Sequence, residues 1–271
     1  MTTVTWVLES EVFPESHSPI RDAITRAGHN IAEWSDAWTS DGPPARFSSG
    51  PTVFHGSLGN AAHVNEHFDW NPGSFCDADR FRCSCWYDQK RRWLVHDQYT
   101  FTTVAELVEN TRVIADSIGA ADKIFVRPDS PLKPFSGRVV DTTNLTPKDL
   151  DHGFYYDDLL LPIVVAPIRS IGREWRFVVA NGVVVAGSGY DPSTRTAAPI
   201  ELDDSVTQFA ASIAVETFAP CDVYTLDVCD CDDALRLVEF NPFGGADLYA
   251  CNPDAVIHVV SDRAVKLHNA G

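Results

Sequence analysis

Short apolar runs alternate with segments of helical periodicity along this chain, and this alternation predicts an α/β fold. The clearest helix begins at the capping box Thr103-x-x-Glu106, in which each side chain satisfies a free amide of the first turn, and it ends at Gly119. Further helices are predicted at 20–27 and around 206–214. Strands are predicted at 4–8, 30–34, 51–55, 123–127, 173–180, 183–186, 223–228 and 235–240.

Two hairpins are predicted in the second half of the chain. Asn181-Gly182 is a residue pair that type I′ turns prefer, and it separates two of the predicted strands. The last two strands are joined by an acidic turn centred near Asp232. Both hairpins therefore belong to an antiparallel sheet.

The first hundred residues differ in pattern from the rest. They predict a small α/β unit, but the segment 69–95 is rich in aromatic, cysteine and charged residues and has no clear period. A second βαβ-like region starts near residue 100. We therefore expect one domain at 1–100 and another at 101–271.

Composition narrows the possible partners. The chain has 271 residues, 44% of them hydrophobic, and its 21 basic and 38 acidic residues give a formal charge of 21 − 38 = −17. A charge of this sign argues against binding nucleic acid or an anionic membrane surface, although a few local cations suffice for a nucleotide. The N-terminal segment has no basic, signal-like start, and the longest apolar run, 159–168, is too short to span a membrane. We expect a cytoplasmic protein.

Seven cysteines are an odd number and do not indicate a disulfide framework. Two Cys-x-Cys pairs occur, at 83/85 and 229/231, and each is predicted to place both thiols on one face of a strand. Zinc sites more often use Cys-x2–4-Cys spacing, so buried thiols are favoured over a metal site.

Oxygen ligands cluster at the end of the last predicted hairpin. Asp227 ends one strand, Glu239 nearly ends the other, and Asn241 shares the parity of Glu239. Two carboxylates and an amide from adjacent strands suit Mg²⁺, which prefers hard oxygen ligands. The alternative is a pair of solvated strand-end acids, but a carboxylate within the apolar sequence LRLVEF needs a reason.

Positive side chains are scarce in this chain, so their positions are informative. Arg127 ends a predicted strand, and Lys133 and Arg138 bracket a loop that contains Gly137. A glycine-containing loop with a cation can hold phosphate through backbone amides and charge. Arg176 lies within a predicted strand. Each of these residues taken alone is more typical of a protein surface.

The order of these segments resembles the ATP-grasp superfamily. In sequence, FVRP and SPLKPFSG are followed by PIVVAPI, a Glu-x-Arg strand, the Asn-Gly hairpin, LDV and finally VEFNPFGGAD. The resemblance is closest to the peptide-ligase-like branch that includes the ribosomal-protein glutamate ligases, and closer still to a divergent clade with arginine in the FVRP position. It covers roughly 100–255. It implies an ATP-grasp fold of the α/β (α+β) class, with residues 1–95 in an N-terminal pre-ATP-grasp domain.

The resemblance also implies roles for individual residues. The metal ligands would be Asp227, Glu239 and Asn241, and the segment Val164 to Ile168 would be the hinge that binds adenine. The residues with implied ATP contacts are Arg127, Lys133, Ser136, Gly137, Val165, Ala166, Ile168, Glu174 and Arg176. Of these, Lys133 and Arg176 are the implied catalytic residues.

The implied chemistry is ATP-dependent joining of a carboxylate to an amine through an acylphosphate, with ATP and Mg²⁺ bound. The substrate would be an amino acid, a peptide or a small metabolite. The loops 55–57 and 244–247 are candidates to line its site, although both compositions are also typical of turns. The oligomeric state is left open.

Two other functions are compatible with the sequence. His63-Val-Asn-Glu66-His67 matches the H-x-x-E-H pattern of one zinc peptidase class, which needs a further acidic ligand from a later helix, and no such ligand is obvious. The chain could also be a non-catalytic ATP-binding module of ATP-grasp fold, although all three implied metal ligands are present.

Overall fold

A computed structural model describes residues 2–151 and 157–270, and the strands and helices of these two segments are as follows. The strands are β1 (Thr5–Leu8), β2 (Asn30–Glu33), β3 (Pro51–His55), β4 (Asn71–Gly73), β5 (Thr100–Thr103), β6 (Lys123–Pro128), β7 (Arg138–Asp141), β8 (Pro162–Ala166), β9 (Ile171–Ala180), β10 (Val183–Asp191), β11 (Thr196–Ala197), β12 (Val223–Cys231) and β13 (Ala234–Pro242). The helices are α1 (Pro14–Arg26), α2 (Trp38–Asp41), α3 (Leu58–His67), α4 (Cys83–Lys90), α5 (Val104–Ser117), α6 (Asp204–Ala214) and α7 (Pro253–Ala270). The α/β class is confirmed.

Contact clustering divides the chain into two discontinuous units. The first comprises Met1–Asp77, Arg173–Asp230 and Glu239–Gly271, and the second comprises Ala78–Gly172 and Cys231–Val238. Residue 100 therefore lies inside the second unit. The assignment of 1–100 and 101–271 as functional domains stays a prediction.

A parallel sheet of order β2-β1-β3-β4 lies in the first unit. Its strands β1 and β3 are almost entirely buried, as expected of parallel strands with helices on both faces. Trp6 and Phe243 pack edge to face in its core, with ring centroids 6.3 Å apart. The loop that follows β13 is thereby tied to the parallel sheet.

A second sheet of order β11-β10-β9-β12-β13 contains both predicted hairpins. Asn181 and Gly182 have φ of 50° and 74°, which confirms the type I′ turn between β9 and β10. The ladder of this hairpin shifts its register by one residue between Val184 and Ala186. Asp232 and Asp233 also have positive φ, at the turn between β12 and β13.

The antiparallel sheet β5-β8-β6-β7 belongs to the second unit and packs on α5. Thr103 accepts a hydrogen bond from the backbone N–H of Glu106, as the capping box predicts. The carboxylate of Glu106, however, accepts from the hydroxyl of Thr102 at 2.8 Å. The helix start was therefore predicted correctly, but with a different partner for its acid.

One cysteine prediction is wrong. Cys83 and Cys85 lie in helix α4 and not on a strand, so one thiol is buried and the other exposed. The short segment from residue 83 has no apolar period that would have indicated the helix. Cys229 and Cys231 both lie buried in β12, as the alternation of a strand predicts. In the part of the chain that the structure describes, no helix is long and apolar enough to cross a membrane.

Candidate active site

A buried ion pair joins the neighbouring strands β9 and β12. The guanidinium of Arg176 donates from Nε to Oδ1 of Asp227 at 2.8 Å and from Nη2 to Oδ2 at 2.6 Å. Asp227 is 0% exposed. Burial would lower the pKa of Arg176, but the charge and hydrogen bonds of Asp227 raise it well above its ordinary value. Arg176 therefore stays charged, as a bidentate pair of this kind requires.

Other polar groups converge on this pair. The Nδ2 of Asn241 donates to Oδ2 of Asp227 at 3.2 Å, which links the end of β13 to β12. The Nη1 of Arg176 donates to the backbone carbonyl of Asp247 at 3.0 Å. The hydroxyl of Ser16 donates to the Asp247 carboxylate at 2.8 Å. The predicted metal ligands Asp227 and Asn241 and the predicted phosphate ligand Arg176 are thus in direct contact.

More negative than positive charge surrounds Arg176. Glu174 is buried and accepts a hydrogen bond from the Tyr190 hydroxyl at 2.5 Å. Burial raises the pKa of Glu174, the hydrogen bond from Tyr190 lowers it, and the nearby charges of Asp227 and Glu239 raise it further. Three carboxyl groups therefore share one guanidinium, and an additional cation would relieve their mutual repulsion.

This group of ligands fits the Mg²⁺ that the fold family implies. Asp227 and Glu239 supply carboxylates and Asn241 supplies an amide oxygen, all of them hard ligands. Among the described residues, no three His, Cys, Asp or Glu side chains converge to form a metal cage on their own. Mg²⁺ is usually held by one or two carboxylates together with waters and substrate phosphates, so a partial set of ligands suffices.

The two loops predicted to line the substrate site contact each other in the first unit. The backbone N–H of Gly56 donates to the carbonyl of Gly244 at 2.8 Å. The ring Nε2 of His55 is 3.0 Å from the carbonyl of Ala246. The carboxylate of Glu9 accepts from the backbone N–H of Ser57 at 2.8 Å. The residues that follow the Asn241 strand are thereby fixed on the start of α3.

The glycines allow this close approach. A Cβ at Gly244 would lie 2.3 Å from the carbonyl oxygen of Ser74. We therefore expect Gly244→Ala to lower the free energy of unfolding by about 3 kcal/mol, because backbone must move to relieve the clash. Gly59 in α3 is the matched control, since a Cβ there meets nothing within 4 Å. Gly59→Ala is expected to stabilise by about 0.5–1 kcal/mol, and equal denaturant midpoints for the two variants would contradict the packing.

His55 predicts a pH dependence of stability. Burial lowers its pKa from 6.5 to about 4, although the hydrogen bond to Ala246 and the charge of Asp247 oppose the shift. The unfolded chain therefore binds this proton below about pH 6.5 while the folded chain does not. Stability is complete above that pH and falls by about 2 kcal/mol towards about pH 5.

The variant His55→Gln isolates this contribution, since glutamine can still donate to Ala246 but does not titrate. Denaturant unfolding at about pH 8 and about pH 5 measures the effect. The loss of stability on acidification is expected to be smaller in the variant by about 2 kcal/mol. The same loss in both proteins would show that His55 is not the titrating group.

The second unit brings together several residues with predicted ATP contacts. Strands β6 and β8 pair antiparallel, which places Phe125 beside Ala166 and the residue before Arg127 beside Val165. A Cβ at Gly137 would lie 2.9 Å from the Phe125 ring and 3.5 Å from the Cβ of Arg127. Arg127, Gly137 and the buried hinge strand therefore form one neighbourhood.

The remaining predicted residues of this unit are exposed. Lys133, Ser136 and Ile168 all face solvent, and Lys133 has a φ of 51° in its loop. The start of this loop is fixed by Asp129, which is buried and accepts hydrogen bonds from the backbone and hydroxyl of Ser84. The contacts that these three residues make with a nucleotide stay predictions.

Three aromatic residues beside the predicted sites were missed. Tyr190 and Tyr249 stack in parallel with ring centroids 4.8 Å apart, and the Arg176 guanidinium carbon lies 5.5 Å and 5.1 Å from their centroids. Tyr249 also has a φ of 48°, which is rare for a bulky side chain and is typical of functional sites. In the second unit, His96 stacks on Phe125 at 4.5 Å. The sequence contains no pattern that singles out any of these three.

The H-x-x-E-H segment lies on α3, and His63 and His67 are in ring contact at 4.5 Å. A zinc peptidase also needs a third ligand. In the segments 2–151 and 157–270 no group of three His, Cys, Asp or Glu residues is arranged to hold a metal ion. The peptidase alternative therefore lacks its catalytic centre.

Comparison with known proteins identifies the family. The model for an ATP-grasp domain, clade family 3, matches residues 70–260. The chain belongs to this ATP-grasp family. The match contains every residue placed above in the Arg176–Asp227 site except Ser16, and all the predicted ATP contacts of the second unit. No curated protein matches the chain.

Solved structures share the ATP-grasp ligase fold of this family member. D-cycloserine synthetase DcsG is similar with a TM-score of 0.65 at 13% identity, covering 96% of this chain and 99% of that one. D-alanine–D-alanine ligase from Bacillus anthracis, complexed with ATP, has a TM-score of 0.59 at 13% identity, covering 99% and 98%. The ATP-grasp ligase PsnB, complexed with minimal precursor, Mg and ADP, has a TM-score of 0.54 at 12% identity, covering 98% of each chain. At these identities the likeness shows the fold alone.

Proposed function

We propose that this ATP-grasp protein is an ATP-dependent ligase that joins a carboxylate to an amine through an acylphosphate. The observation that carries the proposal is the buried Arg176–Asp227 pair, which Asn241 contacts and which Glu174 and Glu239 surround with negative charge. A solvated surface group would not need a fully buried carboxylate of this kind. The function is therefore assigned to a site and not to the fold by itself.

Asp227, Glu239 and Asn241 are proposed to hold Mg²⁺, which when bound offsets charge on the ATP phosphates and orients them. The Asp227 carboxylate keeps further lone pairs beyond the two that Arg176 occupies. Asn241 donates its amide N–H to Asp227, so its amide oxygen is oriented away from that bond. The ion pair thus orients two of the three proposed ligands before any ligand arrives.

Arg127, Lys133, Ser136 and Gly137 are proposed to bind the phosphates of ATP, and Val165, Ala166 and Ile168 to bind its base. The cradle over Phe125 and Arg127 is accessible to backbone because Gly137 has no side chain. Its amide can then donate to a phosphate oxygen. Lys133 lies in an exposed loop, where its long side chain can adjust its position as a point charge.

In the proposed reaction a substrate carboxylate oxygen attacks the γ-phosphorus of ATP and ADP leaves. The amine then attacks the acyl carbon, an amide bond forms, and inorganic phosphate leaves with its electron pair. Arg176 remains protonated throughout, and together with Lys133 it stabilises charge on the transferring phosphoryl group. The protein's contribution is positioning and electrostatics, so no nucleophilic side chain is needed.

The substrate is proposed to be an amino acid, a peptide or a small metabolite. PsnB binds a precursor according to its structure, which supports the peptide class. The contact between the loops 55–57 and 244–247 supports a substrate site at the start of α3, next to Asp247. Activity in the cytoplasm stays a prediction.

The test is release of ADP and phosphate in the presence of pooled carboxylates and amines, with hydroxylamine added to trap an acylphosphate as a hydroxamate. We expect ADP release to need a carboxylate, and the hydroxamate to form only with ATP and Mg²⁺. Tight ATP binding with no carboxylate-dependent turnover across amino acids, peptides and metabolites would favour the non-catalytic module instead. AMP and pyrophosphate as products would exclude the acylphosphate.

A further inference from the structure

The end of helix α3 carries a pair of histidines that the ligase function does not use. His63 and His67 are four residues apart, so they lie on one face of the helix. Their rings meet edge to face with centroids 4.5 Å apart. Two imidazoles bound to one tetrahedral Zn²⁺ through nitrogens at about 2.0–2.1 Å have centroids about 5 Å apart. The spacing on the helix is therefore close to that of a chelating pair.

One ring nitrogen of this pair lacks a partner. The Nε2 of His63 is buried and has no hydrogen-bond partner among the described residues. A buried polar atom that is left unpaired costs free energy, and its presence in a folded protein needs an explanation. Metal coordination would satisfy this nitrogen as a lone-pair donor.

The surroundings favour access and a fixed ring. Phe68 contacts the ring of His63 edge to face at 5.2 Å, which restricts its rotation. His67 and Glu66 have side chains that are 50% and 75% exposed, so a metal ion can approach from solvent. The Glu66 Oε2 lies 3.8 Å from Nε2 of His67, close enough to accept a hydrogen bond from a metal-bound water.

We propose that His63 and His67 bind one divalent transition-metal ion, Zn²⁺ or Cu²⁺, with waters completing the coordination. Imidazole ligands suit these two ions, whereas Mg²⁺ prefers oxygen. Two protein ligands agree with the finding that no group of three converges among the described residues. The site is open, it is separate from the Asp227 site, and it clips the last turn of α3. Metal binding therefore stabilises the first unit by mass action.

The test is titration calorimetry of the full, tag-free chain with ZnCl₂, together with thermal unfolding with and without Zn²⁺. We expect one Zn²⁺ per chain and a rise in unfolding temperature. His63→Gln and His67→Gln should each weaken binding at least about tenfold, since ligand loss exceeds the effect of outer-shell changes. His258→Gln is the control, because His258 is an exposed helical histidine that pairs only with an acid at i+4, Asp262.

Electron paramagnetic resonance of the Cu²⁺-loaded protein supplies a second measurement. We expect coupling to two nitrogens in the unmodified chain and to one in either variant. If both variants bind Zn²⁺ as tightly as the His258→Gln control, the proposal is wrong. If either variant fails to fold, the nitrogen count in the unmodified chain decides, and coupling to fewer than two nitrogens overturns the pair.

Discussion

Replacing Asp227 with asparagine is expected to lower the free energy of unfolding by about 3–5 kcal/mol and to abolish ATP-dependent ligation. The stability loss follows because Arg176 is almost completely buried and would keep its charge without a counter-ion. The activity loss follows because a proposed metal ligand is removed at the same time. Denaturant unfolding measures the first effect, and carboxylate-dependent ADP release measures the second.

A double variant separates these two effects. Arg176→Met together with Asp227→Leu removes both charges and keeps the volume apolar, which is often neutral for stability when a buried pair is replaced. We expect the double variant to regain most of the stability that Asp227→Asn loses, with activity still absent. If the double variant is as unstable as the single one, the instability comes from packing and not from the unpaired guanidinium.

Replacing Glu239 with glutamine is expected to lower turnover by at least about 100-fold while changing stability by less than about 1 kcal/mol. Glu239 is half-buried, and its charge raises the pKa of Glu174, so its neutralisation relieves repulsion in the folded state. Turnover falls because a carboxylate that would bind Mg²⁺ has become a weaker, neutral ligand. The measurement is ADP release as a function of Mg²⁺ concentration, with ATP and the substrate saturating.

Glu201→Gln is the matched control, because Glu201 is exposed and only its backbone carbonyl contacts the protein, through the indole N–H of Trp175 at 3.0 Å. This control should retain full turnover and the same Mg²⁺ dependence. Undiminished ATP consumption in Glu239→Gln with the true substrate would remove Glu239 from the metal site. A large stability loss would instead show that Glu239 is a structural residue.

The local elements that were predicted well are those whose start or turn is set by nearby residues. The strand at Pro51–His55 and the turn at Asn181-Gly182 were placed correctly, since an apolar run and a positive-φ pair act over a few residues. The segment 69–95 was not predicted, because the short elements β4 and α4 contain too few residues to show a period. Length, and not composition, separates these cases.

The candidate site was predicted in part. Asp227, Asn241 and Arg176 meet as the family resemblance implied, because each lies on a strand whose ends are marked by turns. The partner of Glu174 could not be predicted. A regular ladder from the Asn181-Gly182 turn would place Gly189 opposite Glu174, but the bulge near Val184 shifts the register and brings Tyr190 there.

The amino-acid sequence by itself determined the α/β class, the two hairpins, the family and three oxygen ligands on neighbouring strands. These properties depend on side-chain periodicity and turn geometry, which are local. Only the tertiary structure decided that Arg176 neutralises Asp227 and that the loops 55–57 and 244–247 lie in contact. A strand bulge changes which side chains share a face, and loop contacts join residues that are far apart in the sequence. Both depend on packing across the whole first unit, and no short stretch of sequence contains that information.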